Sequence, residues 1–170
     1  MTPPWSMADP RARVQWAGPT MSVRSSISAR LMETWAHAQA VYDLRGLHRT
    51  NTDRLRSIVV MGVNTFGWTF TTRSLPVPAE KPAVLLRAPS GAAWHFNEAA
   101  AASNCIEGSA EAFCQVVTQV RNVQDTDLRV SGPIATAWMQ TAQCFAGGPK
   151  DPPAPGVRRI AAQRWPDRTK

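Results

Sequence analysis

Apolar positions recur at helical spacing between residues 20 and 45. The pattern predicts a helix from Thr20 or Ser22 to about Leu44, since the serines at its start can cap it and Gly46 can end it. At 100° per residue, two faces of this helix carry apolar residues. One face holds Ala29, Glu33, Ala36, His37, Ala40 and Leu44, and the other holds Leu31, Trp35, Ala38 and Tyr42. A helix that is apolar on two sides usually has neighbours on both. This helix is therefore expected to have neighbouring elements on both sides.

A second helical pattern follows after a short polar loop. Thr50, Thr52 and Asp53 are candidate caps, and apolar residues then recur at helical spacing from Leu55 to Phe70. Three prolines, at positions 76, 78 and 82, predict a linker after this helix because proline interrupts regular structure.

Short strands and helices are predicted to alternate over residues 83–146. The turn signal Pro89-Ser90-Gly91 divides a β-hairpin over residues 83–97. The further predicted elements are a short helix at 98–103, a strand at 105–108, a helix opening at Ser109, a strand at 128–131 and a final helix at 134–145. The expected fold class is therefore α+β.

The chain divides into four parts on these patterns. They are an irregular N-terminal segment at 1–20, the helix at 21–46, an α+β domain at 51–146 and a disordered, basic, proline-rich tail at 147–170.

The net charge of +7 is concentrated outside the predicted domain. Residues 147–170 carry six basic side chains against two acidic ones, whereas residues 21–146 carry eleven against nine. A nucleic-acid-binding fold usually has its basic patch on the folded body, so nucleic acid is not an expected partner.

Membrane and secretory classes are not favoured either. No run of about 18 apolar residues is present, and the proline-containing N-terminus lacks the apolar core of a signal peptide. The three cysteines form no Cys-x-x-Cys pair, which is typical of a protein in a reducing cytosol, and a cytoplasmic location is expected.

The candidate chemistry lies on the first helix. Glu33 and His37 are four residues apart, so they project from one side of the helix on adjacent turns, and both can bind a divalent metal. Small neighbours at 29, 36 and 40 leave room for an ion. The alternative is an ordinary surface pair. His48 and His95 lack ligand spacing, and Cys105, Cys114 and Cys144 are interpreted as small core residues.

The segment SARLMETWAHAQAVYDLRGLHRTNTDRLRSIVVMGVNTFGWTF resembles DinB-like metal-binding proteins related to the mycothiol-dependent maleylpyruvate isomerases. Some members of that family are labelled "wyosine base formation" proteins. The runs VLLRAPSGAAWHFN, AEAFCQVVTQV and TAQCFAGGP are similar to the C-terminal domain of the same family. The resemblance extends over about residues 16–149, and ETWAHAQ is its most specific part.

This resemblance implies a four-helix bundle followed by a small α+β domain. The resemblance implies that the metal is zinc, held by a histidine on an early helix and by a Glu-x-x-x-His pair on the last helix. That pair corresponds to Glu33 and His37. The early histidine has no counterpart here, so an N-terminally truncated copy is expected. Ala40 occupies a position at which relatives commonly carry an acidic residue.

The resemblance also implies an activity. Complete relatives would be isomerases or transferases that depend on a divalent metal and on a thiol such as mycothiol, acting on a small electrophile. An alternative is a non-enzymatic domain that self-associates into a homo-oligomer through the helix at 21–45. A role in tRNA modification would rest on the "wyosine" label alone, since no iron–sulfur cysteine motif supports it.

Overall fold

The computed structural model describes residues 9–15, 20–98 and 103–158. The predicted helix at 98–103 lies mostly outside these residues, as does the last part of the predicted tail.

The described chain contains both helices and strands. In order they are β1 (Arg13–Val14), β2 (Met21–Ser22), α1 (Val23–Leu44), α2 (Arg56–Asn64), α3 (Phe66–Thr71), β3 (Ala83–Arg87), β4 (Ala93–Phe96), β5 (Cys105–Ser109), α4 (Ala110–Val117), β6 (Arg129–Ser131) and α5 (Pro133–Thr141). The predicted α+β class agrees with this order. The four-helix bundle stays a prediction, since α1 is the one long helix of the described residues.

The two ends of helix α1 agree with those predicted from its capping residues. The Ser22 hydroxyl accepts a hydrogen bond from the Ser25 amide at 3.1 Å, which satisfies one of the free N–H groups of the first turn. Gly46 follows the helix with φ +64°, a conformation that glycine adopts without strain. An irregular segment was predicted for residues 1–20. In its described part, Arg13–Val14 instead forms a strand that pairs with β2 in a small antiparallel ladder.

The main sheet has the strand order β4-β3-β5-β6. Strands β3 and β5 are parallel, while β4 and β6 pair antiparallel at the two edges. Side chains alternate between two faces, as the period of a strand requires. Val84 and Ile106 are buried beneath the helices, whereas His95 and Glu107 point away from them and are exposed.

The core lies between this sheet and the helices. Helices α2 and α4 approach closely at Gly62, where an added Cβ would lie 2.9 Å from the Phe113 ring. Trp138 makes edge-on contacts with Phe66 and Phe113, at centroid distances of 5.1 and 5.8 Å. The single helix predicted over 55–70 is divided at Thr65, whose hydroxyl donates to backbone carbonyls of the preceding turn.

The last helix starts at a cap supplied from another part of the chain. Gly132 has φ +87° and lies so close to Ser103 and Asn104 that no side chain would fit there. The Asn104 Oδ1 accepts the Ile134 amide at 2.9 Å and so caps α5 in place of the glycine. The helix ends at Thr141 rather than at 145, because the following residues hydrogen-bond to the end of α4.

Residues 147–158 do not form the disordered tail predicted for that stretch. The buried Gln143 accepts the Lys150 amide at 2.9 Å and donates to the Gly148 carbonyl at 3.0 Å. Asn122 donates to the Pro153 carbonyl at 2.9 Å. Side-chain amides of Gln143 and Asn122 thus hydrogen-bond to backbone groups of this proline-rich segment, which forms no helix or sheet.

Candidate functional site

Helix α1 packs on the rest of the molecule through one face. Met32, Trp35 and Gln39 are its buried residues. The Trp35 indole N–H donates to Asn51 Oδ1 at 2.9 Å, and the Arg49 guanidinium lies 5.3 Å from the Trp35 ring centroid. The prediction of neighbours on both sides of α1 is not met within the described residues, since Leu44 is largely exposed.

A buried ion pair fixes α1 against the end of α4. The Arg121 guanidinium donates to both carboxylate oxygens of Asp43, with Nη1 at 2.7 Å from Oδ2, and Gln39 Nε2 donates to the same carboxylate at 3.0 Å. Burial by itself raises the pKa of Asp43, but the hydrogen bonds from Arg121 and Gln39 outweigh it and hold the pKa below its usual value. Asp43 is therefore ionised at neutral pH.

Glu33 and His37 lie together on α1, as their spacing predicts. His37 Nε2 is 3.2 Å from Glu33 Oε2. The two side chains do not point into the core, because that of Glu33 is 46% exposed and that of His37 is 85% exposed. The reason is geometric, since α1 turns Met32, Trp35 and Gln39 to the core and leaves this face uncovered among the described residues.

An open groove of 920 Å³ runs beside this pair. Its walls are α1 on one side and the C-terminal segment on the other, and they include Glu33, His37, Ala40, Phe145, Lys150 and Arg158. Ala36 and Ala40, two of the small residues next to the pair, line the groove. The groove has the size of a site for a small organic molecule.

The Glu33–His37 pair fits part of a metal site. Ligands about 2.0–2.1 Å from a tetrahedral zinc ion are about 3.3 Å apart, close to the observed 3.2 Å between Nε2 and Oε2. Within residues 9–15, 20–98 and 103–158, no group of three or more His, Cys, Asp or Glu side chains could hold a metal ion. The pair therefore offers two ligands, whereas catalytic zinc normally takes three from protein.

The remaining candidates do not join this site. His95 forms a pair of its own with Glu98, at 3.2 Å, on the exposed face of the sheet, and His48 lies in the loop after α1. Burial raises the pKa of the Cys144 thiol to about 12 and that of the Cys114 thiol well above its usual value. These two thiols are core residues, as predicted.

The site is held in position by residues that local sequence patterns do not reveal. Asp43 and Arg121 are 78 positions apart, so no periodicity connects them. Gln39 could have been noticed as a polar residue on the face that carries Met32 and Trp35.

The N-terminal part of the chain is similar to a known family. Residues 3–42 match the family model of the mycothiol maleylpyruvate isomerase N-terminal domain. The match includes Glu33 and His37, and it agrees with the resemblance found in the sequence. No solved structure matches the chain.

Two curated relatives are uncharacterized proteins of Mycobacterium tuberculosis, from strains CDC 1551 / Oshkosh and ATCC 25618 / H37Rv. Each is 45% identical over 137 residues, which is 81% of this chain and 53% of the relative. The chain thus spans about half the length of the curated relatives it matches. In the described part of the chain, no helix has the length and apolar character needed to cross a membrane.

Proposed function

We propose that this chain is a metal-binding protein of the maleylpyruvate isomerase type, with Glu33 and His37 as two of the metal ligands. The observation that carries the proposal is the 3.2 Å approach of a carboxylate and an imidazole on α1, inside the segment that matches the family model. Both side chains can reach one ion without any change in the helix backbone.

The activity proposed for the complete protein is an isomerase or transferase reaction that uses a thiol such as mycothiol. A bound divalent ion supplies Lewis-acid chemistry and lowers the pKa of a thiol or water. The chain's own contribution would be to hold the ion through Glu33 and His37 and to seat a small electrophile in the adjoining groove. Cys114 and Cys144 would not supply the reacting thiol, because burial keeps both protonated at neutral pH.

Metal content tests this proposal directly. The full chain is loaded with zinc, dialysed and analysed by inductively coupled plasma mass spectrometry. We expect zinc to be retained by the wild type and lost in Glu33→Gln and in His37→Ala. The matched control is His95→Ala, because His95 makes a histidine–glutamate pair of the same length on the sheet. Zinc at background in the wild type, or equal zinc in all variants, would contradict the proposal.

The second candidate is a domain that self-associates through α1 without metal. The observation in its favour is an uncovered apolar surface on α1, where Ile27, Val41 and Leu44 are 63%, 62% and 79% exposed. Light scattering in the presence of a chelator tests it. A folded monomer under these conditions would argue against this candidate and leave the metal proposal standing.

A further inference from the structure

Lys150 is an exposed residue of the C-terminal segment that lines the groove described above. Side chains of three other residues hold its backbone. The Lys150 amide donates to Gln143 Oε1 at 2.9 Å, and its carbonyl accepts from Gln119 Nε2 at 2.7 Å and from the Arg73 guanidinium. These three side chains are themselves almost wholly buried. We call them the Lys150 clamp, because they fix the point from which the lysine side chain extends.

Gln119 of this clamp occupies a position where glycine is usual. Helix α4 ends in a Schellman motif, in which the Gln119 amide donates to the Val116 carbonyl and the Val120 amide to the Gln115 carbonyl. The motif needs a residue in the left-handed region, and Gln119 has φ +57°. Glycine would make the same turn without an amide side chain. That side chain is therefore what joins the end of α4 to Lys150.

Cations outnumber carboxylates around the groove. The titratable residues of its described lining are Glu33, His37, Asp43, Lys150, Asp151 and Arg158. Asp43 binds Arg121, and Asp151 lies 3.5 Å from Arg73. With these two arginines, four cations stand against three carboxylates, the third being Glu33 on the opposite wall. The ammonium group of Lys150 forms no ion pair with any residue that the structure describes, so it can receive an anionic group.

The groove also offers apolar surface beside Lys150. Half of its lining residues are apolar, and the larger ones are Met32, Leu44, Phe145 and Val157. A concave surface of this kind favours the apolar body of a small organic molecule, while a few polar groups select its chemistry. Lysine acts as a point charge without fixed geometry, so it selects a ligand by charge.

We propose that the groove binds an organic anion with an apolar body, and that Lys150 contacts its anionic group. Lys150 is then a specificity-determining residue, and the clamp residues Arg73, Gln119 and Gln143 are positioning residues. The proposal rests on the proposed function in one respect, that the groove receives the small-molecule ligand. It requires no bound metal.

Two fluorescent probes with the same ring system test the proposal. Anilinonaphthalene sulfonate is an organic anion, and phenylnaphthylamine is its uncharged counterpart. Each is titrated into the full chain at low salt with a chelator present, so that metal plays no part. We expect Lys150→Gln to weaken binding of the anion about fivefold and to leave binding of the neutral probe unchanged. Lys150→Arg should retain the affinity for the anion because it retains the charge. Lys81→Gln is the matched control, since it removes an exposed lysine outside the groove.

Gln119→Gly tests the clamp separately from the charge. It keeps the turn at the end of α4 and removes the amide that holds the Lys150 carbonyl. We expect affinity for the anion to fall about threefold, with the neutral probe and the circular dichroism spectrum unchanged. Unchanged affinity for the anion would show that the clamp does not position Lys150.

The remaining outcomes separate this inference from the proposed function. No binding of the anion by the wild type, or an equal loss of both probes in Lys150→Gln, would overturn the role of Lys150. If zinc is nevertheless retained through Glu33 and His37, the metal function stands. A charge-selective loss in Lys150→Gln together with zinc at background would support the anion site and contradict the metal function.

Discussion

Arg121 donates hydrogen bonds to both carboxylate oxygens of Asp43 and so joins α1 to the end of α4. The pair is enclosed by protein, with the two side chains 6% and 14% exposed respectively. Its position on α1 gives it a functional consequence. The ion pair, together with Trp35, sets which side of the helix faces the core and therefore which side presents Glu33 and His37 to the groove.

Asp43→Asn is expected to lower the free energy of unfolding by about 3 kcal/mol, because the guanidinium of Arg121 would remain buried without a counter-charge. Urea denaturation at pH 7 measures the change. The control is Asp151→Asn, since Asp151 pairs with Arg73 at 3.5 Å from an almost fully exposed position. That variant should stay within about 0.5 kcal/mol of the wild type. Equal effects of the two substitutions would show that burial does not strengthen the Asp43 pair.

The contribution of Asp43 to the free energy of unfolding should decrease in acid. Its pKa in the folded protein lies below the usual value of 3.8. The stabilisation is therefore fully present above pH 3.8 and is lost as the pH falls through the lower pKa of the folded state. We expect the stability difference between wild type and Asp43→Asn to be constant from pH 7 to 5 and to shrink below pH 4. Urea melts at several pH values measure it, and a difference that grows in acid would refute the assignment.

Gly62→Ala should destabilise the protein although alanine is the better helix former. The new Cβ would lie 2.9 Å from the Phe113 ring and 3.0 Å from a Val117 methyl, both of which are buried. Overpacking of this kind costs about 1–3 kcal/mol, which exceeds the gain of about 1 kcal/mol in helix propensity.

The matched control is Gly67→Ala in α3, where the nearest atom to the new Cβ is a Val77 methyl at 3.7 Å. Ordinary contact is available there, so a small gain of a few tenths to 1 kcal/mol is expected. Thermal unfolding followed by circular dichroism should lower the Tm of the first variant and raise that of the second. A Tm increase for Gly62→Ala would mean that α2 and α4 can separate at little cost.

The three thiols should differ in reactivity in the native state. Cys105 is partly exposed, whereas Cys114 and Cys144 are buried. With a pKa of about 12, the Cys144 thiol is ionised in about one molecule in ten thousand at pH 8. We expect an aromatic disulfide reagent to modify at most one thiol per native chain and three in urea. Cys105→Ser should abolish the native reaction, and two or more reactive thiols in the folded protein would contradict the packing described.

Much of the local structure follows from patterns within short stretches. Ser22 and Gly46 bound α1 as predicted, and the Pro89-Ser90-Gly91 turn separates β3 from β4. These signals are readable because a cap or a turn is decided by residues within four positions of each other. The end of α5 was predicted less well, at 145 instead of Thr141, since the residues after it hydrogen-bond to the end of α4, more than twenty positions earlier in the chain.

The sequence by itself determined that Glu33 and His37 share one side of a helix, because the helical repeat alone sets that relation. It did not determine whether that side is covered. Only the tertiary structure places Met32, Trp35 and Gln39 against the core and brings Arg121 to Asp43 across 78 positions. The order of 147–158 was likewise decided by buried amides of distant residues. Long-range contacts of this kind depend on how whole elements pack, and no local repeat in the chain encodes them.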